Sequence, residues 1–378
     1  MKVTFILQDL FAQGAQYVTA LMIRGFIAKG YDVDLIVSKV HADLLAEETM
    51  RPFEIPDEAR VMTLADRKAR NNIREIRRYL RTTDSVAVIA MSENYKRALA
   101  IASAGLSSKP LIAYVEHSGY TGLDVSTGRE MSAPSRFSRS YLKSLLFMRR
   151  FDVIMAVSSG TAGAIERMNR LPDGTVKVVY NPVIDDVFYR KLSLPPAHSW
   201  LKDKSMPTFT AAGAHSRLKN HFVMFEAIKK ANERQPVRLV LFGKGALTPQ
   251  YREWIEANNM ADRIALAGFS EQLPAEIRAS DGFLSSSDME SFSVVLVEAM
   301  AAGCPVISTA CHYGPPELLD NGRYGCLVPV RDAGVMAEAI CRQIENPATA
   351  APEEAWRRFC LPEIVGAYER ALNLDGER

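Results

Sequence analysis

Two glutamates eight residues apart, Glu290 and Glu298, are the residues of this chain whose spacing points most directly to chemistry. Glu290 follows an apolar run that is typical of a β-strand, and Glu298 lies in the helix-forming stretch after it. Gly303 and Pro305 then end the predicted helix. The backbone N–H groups of a helix's first turn favour phosphate or carboxylate. The segment therefore predicts a site where a helix start holds a phosphorylated ligand while a carboxylate addresses its uncharged hydroxyl groups.

Length and composition favour a soluble protein of two globular domains. The chain has 378 residues, of which 48% are hydrophobic and 24% charged, and its formal net charge is +2. This length exceeds one ordinary hydrophobic core, and the composition leaves little room for long disordered segments. So small a net charge gives no field over the whole protein that would attract nucleic acid, which is not an expected partner.

The cysteines and the apolar runs point to the cytoplasm. The five cysteines lie in the C-terminal half, and no pair has metal-ligand spacing, which favours reduced thiols. No apolar run approaches the roughly 20 residues of a membrane span. The first residues, Met1–Leu7, are typical of a first β-strand rather than of a signal peptide.

Short apolar runs alternate with amphipathic stretches along almost the whole chain, which is typical of parallel sheets covered by helices on both faces. The strands predicted in the first half are Val3–Leu7, Asp32–Ser38, Val86–Met91, Pro110–Glu116, Val153–Ser158 and Val176–Asn181. Those predicted in the second half are Phe209–Gly213, Val237–Gly243, Ile264–Phe269, Phe283–Ser286, Pro305–Thr309 and Gly325–Val330. The predicted helices between them include Ala15–Lys29, Asn220–Asn232 and Tyr251–Asn259. The expected fold class is α/β, with two doubly wound Rossmann-like domains facing across a cleft.

The boundary between the two domains is predicted near residue 183. Asn181-Pro182-Val183 ends a predicted strand, and residues 193–197, Ser-Leu-Pro-Pro-Ala, have the composition of a linker. We expect an N-terminal domain over 1–183, a C-terminal domain over 184–352, and a helical segment over 353–378 that packs back toward the N-terminal domain. In doubly wound sheets ligands bind beyond the carboxyl ends of the strands, so the chemistry is expected there.

Four motifs together resemble the retaining glycosyltransferases of family 4, which have the two-domain GT-B fold. The first is the Glu-x7-Glu element from Glu290 to Glu298, followed by Ala-Met-Ala-Ala-Gly-Cys-Pro-Val-Ile. The others are the loop from Gly213 to His221, residues 313–318 (Tyr-Gly-Pro-Pro-Glu-Leu) and the turn Asn181-Pro182-Val183. A Glu-x7-Glu pair alone is a weak signal, because any amphipathic helix can supply it, but the combination is specific. The resemblance is strongest over residues 211–329 and weaker over the N-terminal half.

The resemblance assigns the two glutamates to different parts of a nucleotide-sugar donor. Glu298 is implied to accept hydrogen bonds from the ribose hydroxyls, which suits a carboxylate beside a diol. As an isolated residue it would be a solvated helix carboxylate. Glu290 is implied to contact the sugar near its reacting carbon and to help stabilise an oxocarbenium-like transition state. An acid favoured by the helix dipole is the plainer interpretation, and both can hold.

The diphosphate of such a donor is expected to lie between backbone N–H groups and a cation. The N–H groups near Phe292, Ser293 and Val294 form the expected cradle, with the hydroxyls of Ser291 and Ser293 as further donors. Lys219 is the expected cation, because a fixed ammonium stabilises the charge that grows on a departing phosphate.

The sequence departs from the family pattern in the cationic part of this site. Family members have arginine directly after the glycine of the loop, whereas Ala214 follows Gly213 here. The nearest guanidinium belongs to Arg217. Either Arg217 takes over the missing role, or it is a surface residue and Lys219 binds the diphosphate alone.

Further candidates lie where predicted strands end. His117 follows Pro110–Glu116, and family members often place a histidine here against the donor sugar, although a lone histidine is more often a structural hydrogen-bonder. Gly14 lies between the first strand and the first helix, where glycine either lets the backbone approach phosphate or sugar or serves a helix-entry turn. His117, Glu290 and Lys219 are the catalytic candidates.

Two glycine-containing loops complete the expected donor site. Gly243-Lys244-Gly245 resembles a Gly-x-Gly of the family, and Gly268-Phe269-Ser270 matches the loop that contacts the base, largely through its backbone. The sequence has no Asp-x-Asp centre and no cluster with metal-ligand spacing, and the family needs no divalent metal. No metal or cofactor is therefore expected beside the nucleotide-sugar substrate.

Two stretches of the first half are basic, from Arg67 to Arg81 and from Arg136 to Arg150. The second mixes aromatic and aliphatic residues with cations at helical spacing. This pattern suits either an anionic membrane interface or an ordinary amphipathic helix that covers the sheet. Because many family members extend lipid-linked sugars at the cytoplasmic membrane face, we expect peripheral binding to an anionic membrane.

The implied function is retaining transfer of a hexosyl or N-acetylhexosaminyl group from a nucleotide sugar, with UDP as the expected nucleotide. The implied acceptor is a hydroxyl of a lipid-linked or polysaccharide glycan, bound by the N-terminal domain, while the C-terminal domain binds the nucleotide sugar. Two alternatives stay open. A nucleotide-sugar epimerase of the same fold would isomerise the sugar without an acceptor, and Ala214 leaves room for a non-catalytic nucleotide-sugar-binding subunit.

Overall fold

The computed structural model describes residues 1–11, 14–46, 53–117 and 147–375. The chain divides into two compact units. The first comprises Met1–Pro182 together with Leu361–Arg378, and the second comprises Val183–Cys360. The chain thus leaves the first unit next to the turn at residue 183 and rejoins it near its C-terminal end.

The first unit is built on a seven-stranded parallel sheet. Its strands are β1 (Lys2–Ile6), β2 (Asp32–Val37), β3 (Arg60–Thr63), β4 (Ala87–Ala90), β5 (Leu111–Glu116), β6 (Val153–Ala156) and β7 (Val176–Val178). Their spatial order is β3-β2-β1-β4-β5-β6-β7. The described helices of this unit are α1 (Gly14–Ala28), α2 (Lys39–Ala46), α3 (Ile73–Thr82), α4 (Glu93–Ser103), α5 (Ser159–Asn169) and α15 (Leu361–Ala371), with a 3-10 helix at Ala69–Asn72.

The central strands of this sheet are buried on both faces, as parallel strands covered by helices must be. Almost every side chain of β1, β4 and β5 is buried. The apolar cluster on one face joins residues from neighbouring strands, among them Ile6, Ile36, Val88, Ile112 and Ile154. This burial explains why continuous apolar runs, rather than alternating ones, mark these strands in the sequence.

Strand β3 is not predicted by the apolar pattern. Its residues Arg60 to Thr63 include only two apolar side chains, and Val61 is 45% exposed. Among the described strands β3 pairs only with β2, and at this edge of the sheet its side chains are exposed or half-buried. Backbone pairing, which leaves no local signal, is therefore what makes this segment a strand.

The second unit repeats the design with a six-stranded parallel sheet. Its spatial order is β10-β9-β8-β11-β13-β15, and β12 and β14 form a separate two-stranded sheet. The strands are β8 (Thr208–Ala212), β9 (Arg238–Phe242), β10 (Ile264–Gly268), β11 (Gly282–Ser285), β12 (Met289–Glu290), β13 (Val306–Thr309), β14 (His312–Tyr313) and β15 (Cys326–Val328). The described helices are α6 (Asp186–Leu192), α7 (Ser199–Lys202), α8 (His221–Asn232), α9 (Thr248–Ala257), α10 (Leu273–Arg278), α11 (Val294–Ala301), α12 (Gly314–Leu318), α13 (Ala333–Glu345) and α14 (Glu353–Trp356), with 3-10 helices at Arg217–Lys219, Asp320–Gly322 and Arg357–Phe359.

The C-terminal stretch, expected as one helical segment from residue 353, is divided between the units. Helix α14 and the 3-10 helix Arg357–Phe359 belong to the second unit, whereas α15 belongs to the first. Pro362 lies in the first turn of α15, where its missing N–H costs no intrahelical hydrogen bond.

Helix α15 packs on α1. The rings of Phe26 and Tyr368 meet edge to face, with centroids 6.4 Å apart. The carboxylate of Glu369, which is largely buried, accepts a 2.9 Å hydrogen bond from the hydroxyl of Tyr31 and pairs with Lys29. Apolar contact and a satisfied buried charge together hold the C-terminal helix in the first unit.

The lengths of the helices and the state of the cysteines bear on two predictions from the sequence. No helix in the described part of the chain is long and apolar enough to cross a membrane. All five cysteines are free, and burial raises the pKa of Cys304 and of Cys311 to about 12. These two thiols are therefore protonated and unreactive at neutral pH.

The packing of α1 on α15 predicts opposite effects for one chemical change at two helix positions. A Cβ atom at Gly25 would lie 2.5 Å from Val365 Cγ2 and 2.8 Å from Leu361 Cδ1, whereas a Cβ at Gly163 of α5 would meet nothing within 4 Å. We expect Gly25→Ala to lower the free energy of unfolding by about 1–3 kcal/mol through overpacking. Gly163→Ala should raise it by roughly 0.5–1 kcal/mol. Urea unfolding of the full chain measures both, and equal effects at the two positions would contradict the packing argument.

Candidate functional site

The two glutamates lie on either side of a helix start, as the sequence predicts. Glu290 ends the short strand β12, where it pairs with Tyr313 of β14. Helix α11 begins at Val294 and carries Glu298 in its second turn. Gly303, with φ of +74°, then turns the chain toward β13. Strand, carboxylate, helix and glycine thus follow one another in the predicted order.

Glu290 and Lys219 form an ion pair. Glu290 Oε1 accepts hydrogen bonds from Lys219 Nζ and, at 2.8 Å, from Ser287 Oγ. Both charged side chains are mostly shielded from solvent, with exposed fractions of 26% for Lys219 and 12% for Glu290. The fold therefore brings together two predicted catalytic candidates that lie 71 residues apart in the sequence.

The turn before α11 has an unusual backbone. Ser293 adopts φ 85° and ψ 82°, a left-handed conformation that costs a residue with a side chain about 1–3 kcal/mol. Its Oγ is buried and has no hydrogen-bond partner among the residues that the structure describes. The preceding Phe292 is buried against Phe359, so only its backbone is available to a ligand. The N–H groups of this helix start have no intrahelical partner, and the strained turn leaves one hydroxyl unsatisfied among the described residues.

Glycines interlock the loops that follow β8, β9 and β10. Gly213 N donates to Phe242 O at 3.0 Å, and Gly243 N donates to Gly268 O at 2.7 Å. A Cβ atom on Gly243, whose φ is +117°, would overlap the carbonyl oxygen of Gly213. These contacts require glycine at 243 and place three predicted site loops side by side at the carboxyl edge of the sheet.

Phe269 stands out on this edge because its side chain is 77% exposed. The ammonium of Lys244 lies 5.8 Å from the centroid of its ring. The sequence predicts only a backbone role for this loop, whereas the structure also places an exposed aromatic face there. A planar ligand group can stack on such a face.

Both interpretations of the loop around Ala214 stay open: either Arg217 replaces the missing family arginine, or Lys219 binds the diphosphate alone. Ala214 is exposed, and Arg217 begins the 3-10 helix Arg217–Lys219 with an exposed side chain. Among the described residues, Arg217 forms no ion pair. Its guanidinium is therefore not committed to a structural role in this unit.

Asp288 is a site-forming residue that sequence analysis misses. Its backbone N–H donates to Leu218 O at 2.8 Å, and its Oδ1 accepts from Asn220 Nδ2 at 2.9 Å. Its Oδ2 accepts two hydrogen bonds from Arg331, at 2.8 and 3.0 Å. Asp288 thereby fixes both neighbours of Lys219 in the chain and holds the ammonium near Glu290. Its position two residues before Glu290 is the only sequence signal.

Glu298 is partly buried on α11. Burial raises the pKa of Glu298 to about 7, and the positive charge of Lys191 on α6 lowers it less strongly. The carboxylate is therefore easily converted between neutral and ionised forms near neutral pH, and any ligand that donates hydrogen bonds to it favours the ionised form.

The candidates of the first unit lie at the carboxyl edge of its own sheet. His117 follows β5, and burial lowers its pKa to about 4, while a hydrogen bond with the Asn181 side chain acts in the opposite direction. The imidazole is therefore neutral at neutral pH. Gly14 is the first residue of α1, and a Cβ there would meet nothing within 4 Å, so packing does not require glycine.

The first basic stretch serves several purposes. Arg77 donates hydrogen bonds to Ala102 O and Ala104 O, at 2.8 and 2.7 Å, where α4 ends. Arg74, Arg78 and Arg81 are exposed on α3. The second stretch lies outside the described residues up to residue 146.

Within the described part, no group of three histidines, cysteines, aspartates or glutamates is arranged to hold a metal ion.

Family models match both units. The model described as "Glycosyltransferase Family 4" matches residues 12–187, and that described as "Glycosyl transferases group 1" matches residues 206–346. The chain belongs to glycosyltransferase family 4. The resemblance in the Glu-x7-Glu segment is thus confirmed and extends to the N-terminal half.

Similar proteins include several of bacterial polysaccharide synthesis. The putative colanic acid biosynthesis glycosyltransferase WcaL of Salmonella typhimurium is 29% identical over 64% of this chain and 59% of its own length. The N-acetylgalactosamine-N,N'-diacetylbacillosaminyl-diphospho-undecaprenol 4-alpha-N-acetylgalactosaminyltransferase of Campylobacter jejuni is 25% identical over 54% of each chain. An exopolysaccharide phosphotransferase of Streptomyces coelicolor is 38% identical over 35% of this chain but only 15% of its own length. The chain thus matches less than two thirds of the length of each of these relatives.

Solved structures show the same fold. Anabaena Alr3699/HepE in complex with UDP and glucose superposes with a TM-score of 0.75 at 20% identity, covering 99% of this chain and 100% of its own. The pneumococcal O-GlcNAc transferase GtfA in complex with UDP and GlcNAc gives a TM-score of 0.72 at 14% identity, covering 100% and 99%. This family 4 chain therefore has the GT-B fold with its two Rossmann-like domains, as expected.

The raised pKa of Glu298 predicts a pH-dependent stability effect. The pKa is raised in the folded state, so the folded protein holds this proton more tightly, and ionisation destabilises it increasingly from about pH 4.5 to about pH 7. Glu298→Gln removes this loss. We expect the variant to gain about 2 kcal/mol over the native protein between pH 5 and pH 8, measured by urea unfolding. Glu338→Gln, at an exposed position on α13, is the control, and a pH-independent difference for Glu298→Gln would contradict the shift.

The hydrogen bonds of Asp288 predict that it contributes more to stability than its partner Arg331. We expect Asp288→Ala to lower the free energy of unfolding by about 1–3 kcal/mol, because the half-buried amide of Asn220 loses its acceptor. Arg331 is 52% exposed, and Arg331→Ala should cost less than about 1 kcal/mol. The same urea titrations compare the two variants, and a larger loss for Arg331→Ala would be inconsistent with Asp288 as the organising residue.

Proposed function

We propose that this family 4 protein transfers a hexosyl or N-acetylhexosaminyl group from a UDP-sugar to a hydroxyl of a lipid-linked or polysaccharide glycan, with retention at the anomeric carbon. The observation that carries the proposal is the ion pair of Lys219 and Glu290 beside the strained start of α11. UDP is the proposed nucleotide because the structures of HepE and GtfA, which share the fold, contain it.

The diphosphate of the donor fits the start of α11. The first-turn N–H groups carry the positive end of the helix dipole, and the ammonium of Lys219 lies nearby through its pairing with Glu290. A phosphate oxygen there would also give the buried hydroxyl of Ser293 a partner. The site thus offers the diphosphate hydrogen-bond donors from the backbone, from a hydroxyl and from a cation, and the proposal requires no metal ion.

Glu298 and Phe269 suit the nucleoside. Glu298 lies one turn further along α11, where an ionised carboxylate would accept hydrogen bonds from both ribose hydroxyls. The raised pKa of Glu298 means that this binding is favoured above about pH 7. The exposed ring of Phe269 offers the uracil base a stacking surface.

In the proposed transfer step the two members of the ion pair separate and contact different parts of the donor. The bond between the anomeric carbon and the diphosphate oxygen breaks, and the electron pair leaves with UDP. A new bond forms from that carbon to the acceptor oxygen, and the proton of the acceptor hydroxyl passes to the departing diphosphate. In our proposal Lys219 turns to the departing diphosphate, where negative charge grows, and Glu290 then accepts hydrogen bonds from the sugar hydroxyls. Before the donor binds, the ion pair holds Lys219 and Glu290 in place, and contacts with the donor then replace the contact between the two side chains.

His117 is proposed to contact the donor sugar as a neutral hydrogen-bonding group. Burial holds its pKa near 4, so it carries no charge at neutral pH. A neutral imidazole suits uncharged sugar hydroxyls, and it avoids a fixed second cation near a transition state that already has positive character on the sugar.

The acceptor class is proposed from the relatives. WcaL is named for colanic acid biosynthesis, and the Campylobacter enzyme is named for a diphospho-undecaprenol-linked substrate. The exposed Arg74, Arg78 and Arg81 of α3 would face the anionic surface of a membrane that carries such an acceptor.

Lys219→Ala is the direct test. We expect it to lower kcat for transfer from UDP-sugar about 100-fold or more, because the charge on the leaving diphosphate loses its counterion. Lys219→Arg should keep a larger share of activity than Lys219→Ala. Steady-state kinetics with a radiolabelled UDP-sugar and a lipid extract as acceptor measures all variants.

Lys230→Ala is the matched control, since Lys230 is exposed on α8 and away from the site loops. Unchanged kcat in Lys219→Ala would contradict the proposed role. Incubation of the native protein with donor alone tests the alternatives. A new sugar isomer would indicate an epimerase, and donor binding without turnover on any acceptor would indicate a binding subunit.

A further inference from the structure

A second candidate site lies in the first unit, at the point where the strand order reverses. Strand β1 has β2 on one side and β4 on the other, so the chain runs outward in both directions from the β1–β4 boundary. In doubly wound sheets, ligands bind beyond the carboxyl ends of the strands at this boundary. A cavity of about 410 Å³ opens there. It lies between Gln8, just after β1, the 3-10 helix Ala69–Asn72, and α4, just after β4.

This basic pocket is lined by four cations, Arg67, Lys68, Arg70 and Arg97, and by no carboxylate of the described part of the chain. Two of the cations pair with acids outside the lining, Arg67 with Asp43 and Arg97 with Glu93, at 2.7 and 3.1 Å. Asp66 partly offsets the charge of Lys68. Arg70 forms no ion pair with any residue that the structure describes. A concave surface with one sign of charge concentrates ligands of the opposite sign.

The cations are held on a rigid turn. Asp66 accepts from Lys68 N at 2.7 Å through its carboxylate. Its backbone N–H donates to Asn72 Oδ1 at 3.0 Å, and its carbonyl accepts from Asn72 Nδ2 at 2.8 Å. Asn72 itself is buried. The turn is thus closed from both ends, so the backbone that carries Arg70 needs little further ordering when a ligand binds.

The pocket also has an apolar side. Ile73 and Ile101 line it, and Ile101 is 45% exposed, so its apolar side chain is accessible to a ligand. The volume lies within the roughly 300–1,000 Å³ of small-molecule sites. Arginine side chains bind phosphate oxygens in a bidentate manner. The lining therefore matches a phosphate or diphosphate ester whose organic part is apolar.

We propose that the basic pocket binds the phosphate or diphosphate group of the glycosyl acceptor. The inference rests on the proposed function, because it identifies the ligand as the substrate of that transfer. It adds that acceptors carrying a phosphate ester are selected by Arg70 and its neighbours, whereas neutral glycans lack this contact.

Isothermal titration calorimetry tests the pocket with soluble probes. The full-length protein is first saturated with UDP, so that phosphate groups cannot bind at the start of α11. Inorganic diphosphate and geranyl diphosphate are then titrated. We expect geranyl diphosphate to bind more tightly than inorganic diphosphate because of Ile73 and Ile101. Arg70→Ala should weaken both about 10-fold, and Arg70→Ala combined with Arg97→Ala should weaken them further.

Arg60→Ala is the matched control, an exposed arginine at the start of β3 that does not line the pocket. It should leave diphosphate binding unchanged. Equal affinity in the native protein and the double variant would overturn the proposal. So would binding of the native protein to phosphatidylglycerol vesicles without binding of either soluble probe, which would assign the cations to bulk lipid headgroups.

UDP binding separates this inference from the proposed function. If the double variant binds UDP normally and loses geranyl diphosphate, the pocket assignment stands on its own. If the native protein binds neither UDP nor any UDP-sugar, the proposed function fails whatever the pocket does. Transfer to a diphosphate-linked acceptor with an unchanged KM in the double variant would overturn the pocket assignment alone.

Discussion

The ion pair between Lys219 and Glu290 is the interaction on which the organisation of the second unit's site depends. It joins the loop after β8 to the strand that precedes α11, and each partner is mostly shielded from water. A half-buried charge is costly unless it is paired, so each segment needs the other in place. Asp288 reinforces the same junction through Leu218 and Asn220. The start of α11 is thereby held beside a cation before any ligand is bound.

Both sheets could be predicted from the sequence because their central strands are buried on both faces. Short apolar runs such as Val3–Leu7 and Val237–Gly243 are typical of such strands, and the observed strands differ from these two by one residue at each end. Strands β3 and β12 could not be predicted in this way. Their existence depends on pairing with β2 and with β14, which lie elsewhere in the chain, and their own residues carry no apolar pattern.

The residues of the candidate site also fall into two groups, those recognisable from the local sequence and those whose role depends on distant contacts. Motifs whose chemistry is local, such as Glu290 before a helix or Gly243 in a tight loop, are recognisable from residue types and spacing. Asp288 is not, because its role arises from partners at positions 218, 220 and 331. The basic stretch from Arg67 to Arg81 shows the opposite difficulty. One run of like charges in the sequence is divided by the fold into a helix-capping residue, an exposed helix face and one side of a pocket.

The interlocked glycines have an evolutionary consequence. No side chain fits at Gly243 without displacing the backbone of Gly213, so Gly243 cannot change while the loops keep their geometry. A Cβ atom at Gly213 would meet only the side chain of Lys219, at ordinary contact distances. Ala214, the next residue, is exposed, and so is Arg217. The site therefore combines an invariable glycine with a freely variable edge on the neighbouring loop. A lineage could exchange the side chains of that edge without rebuilding the fold, and the absence of the usual arginine at 214 is one outcome that this arrangement permits.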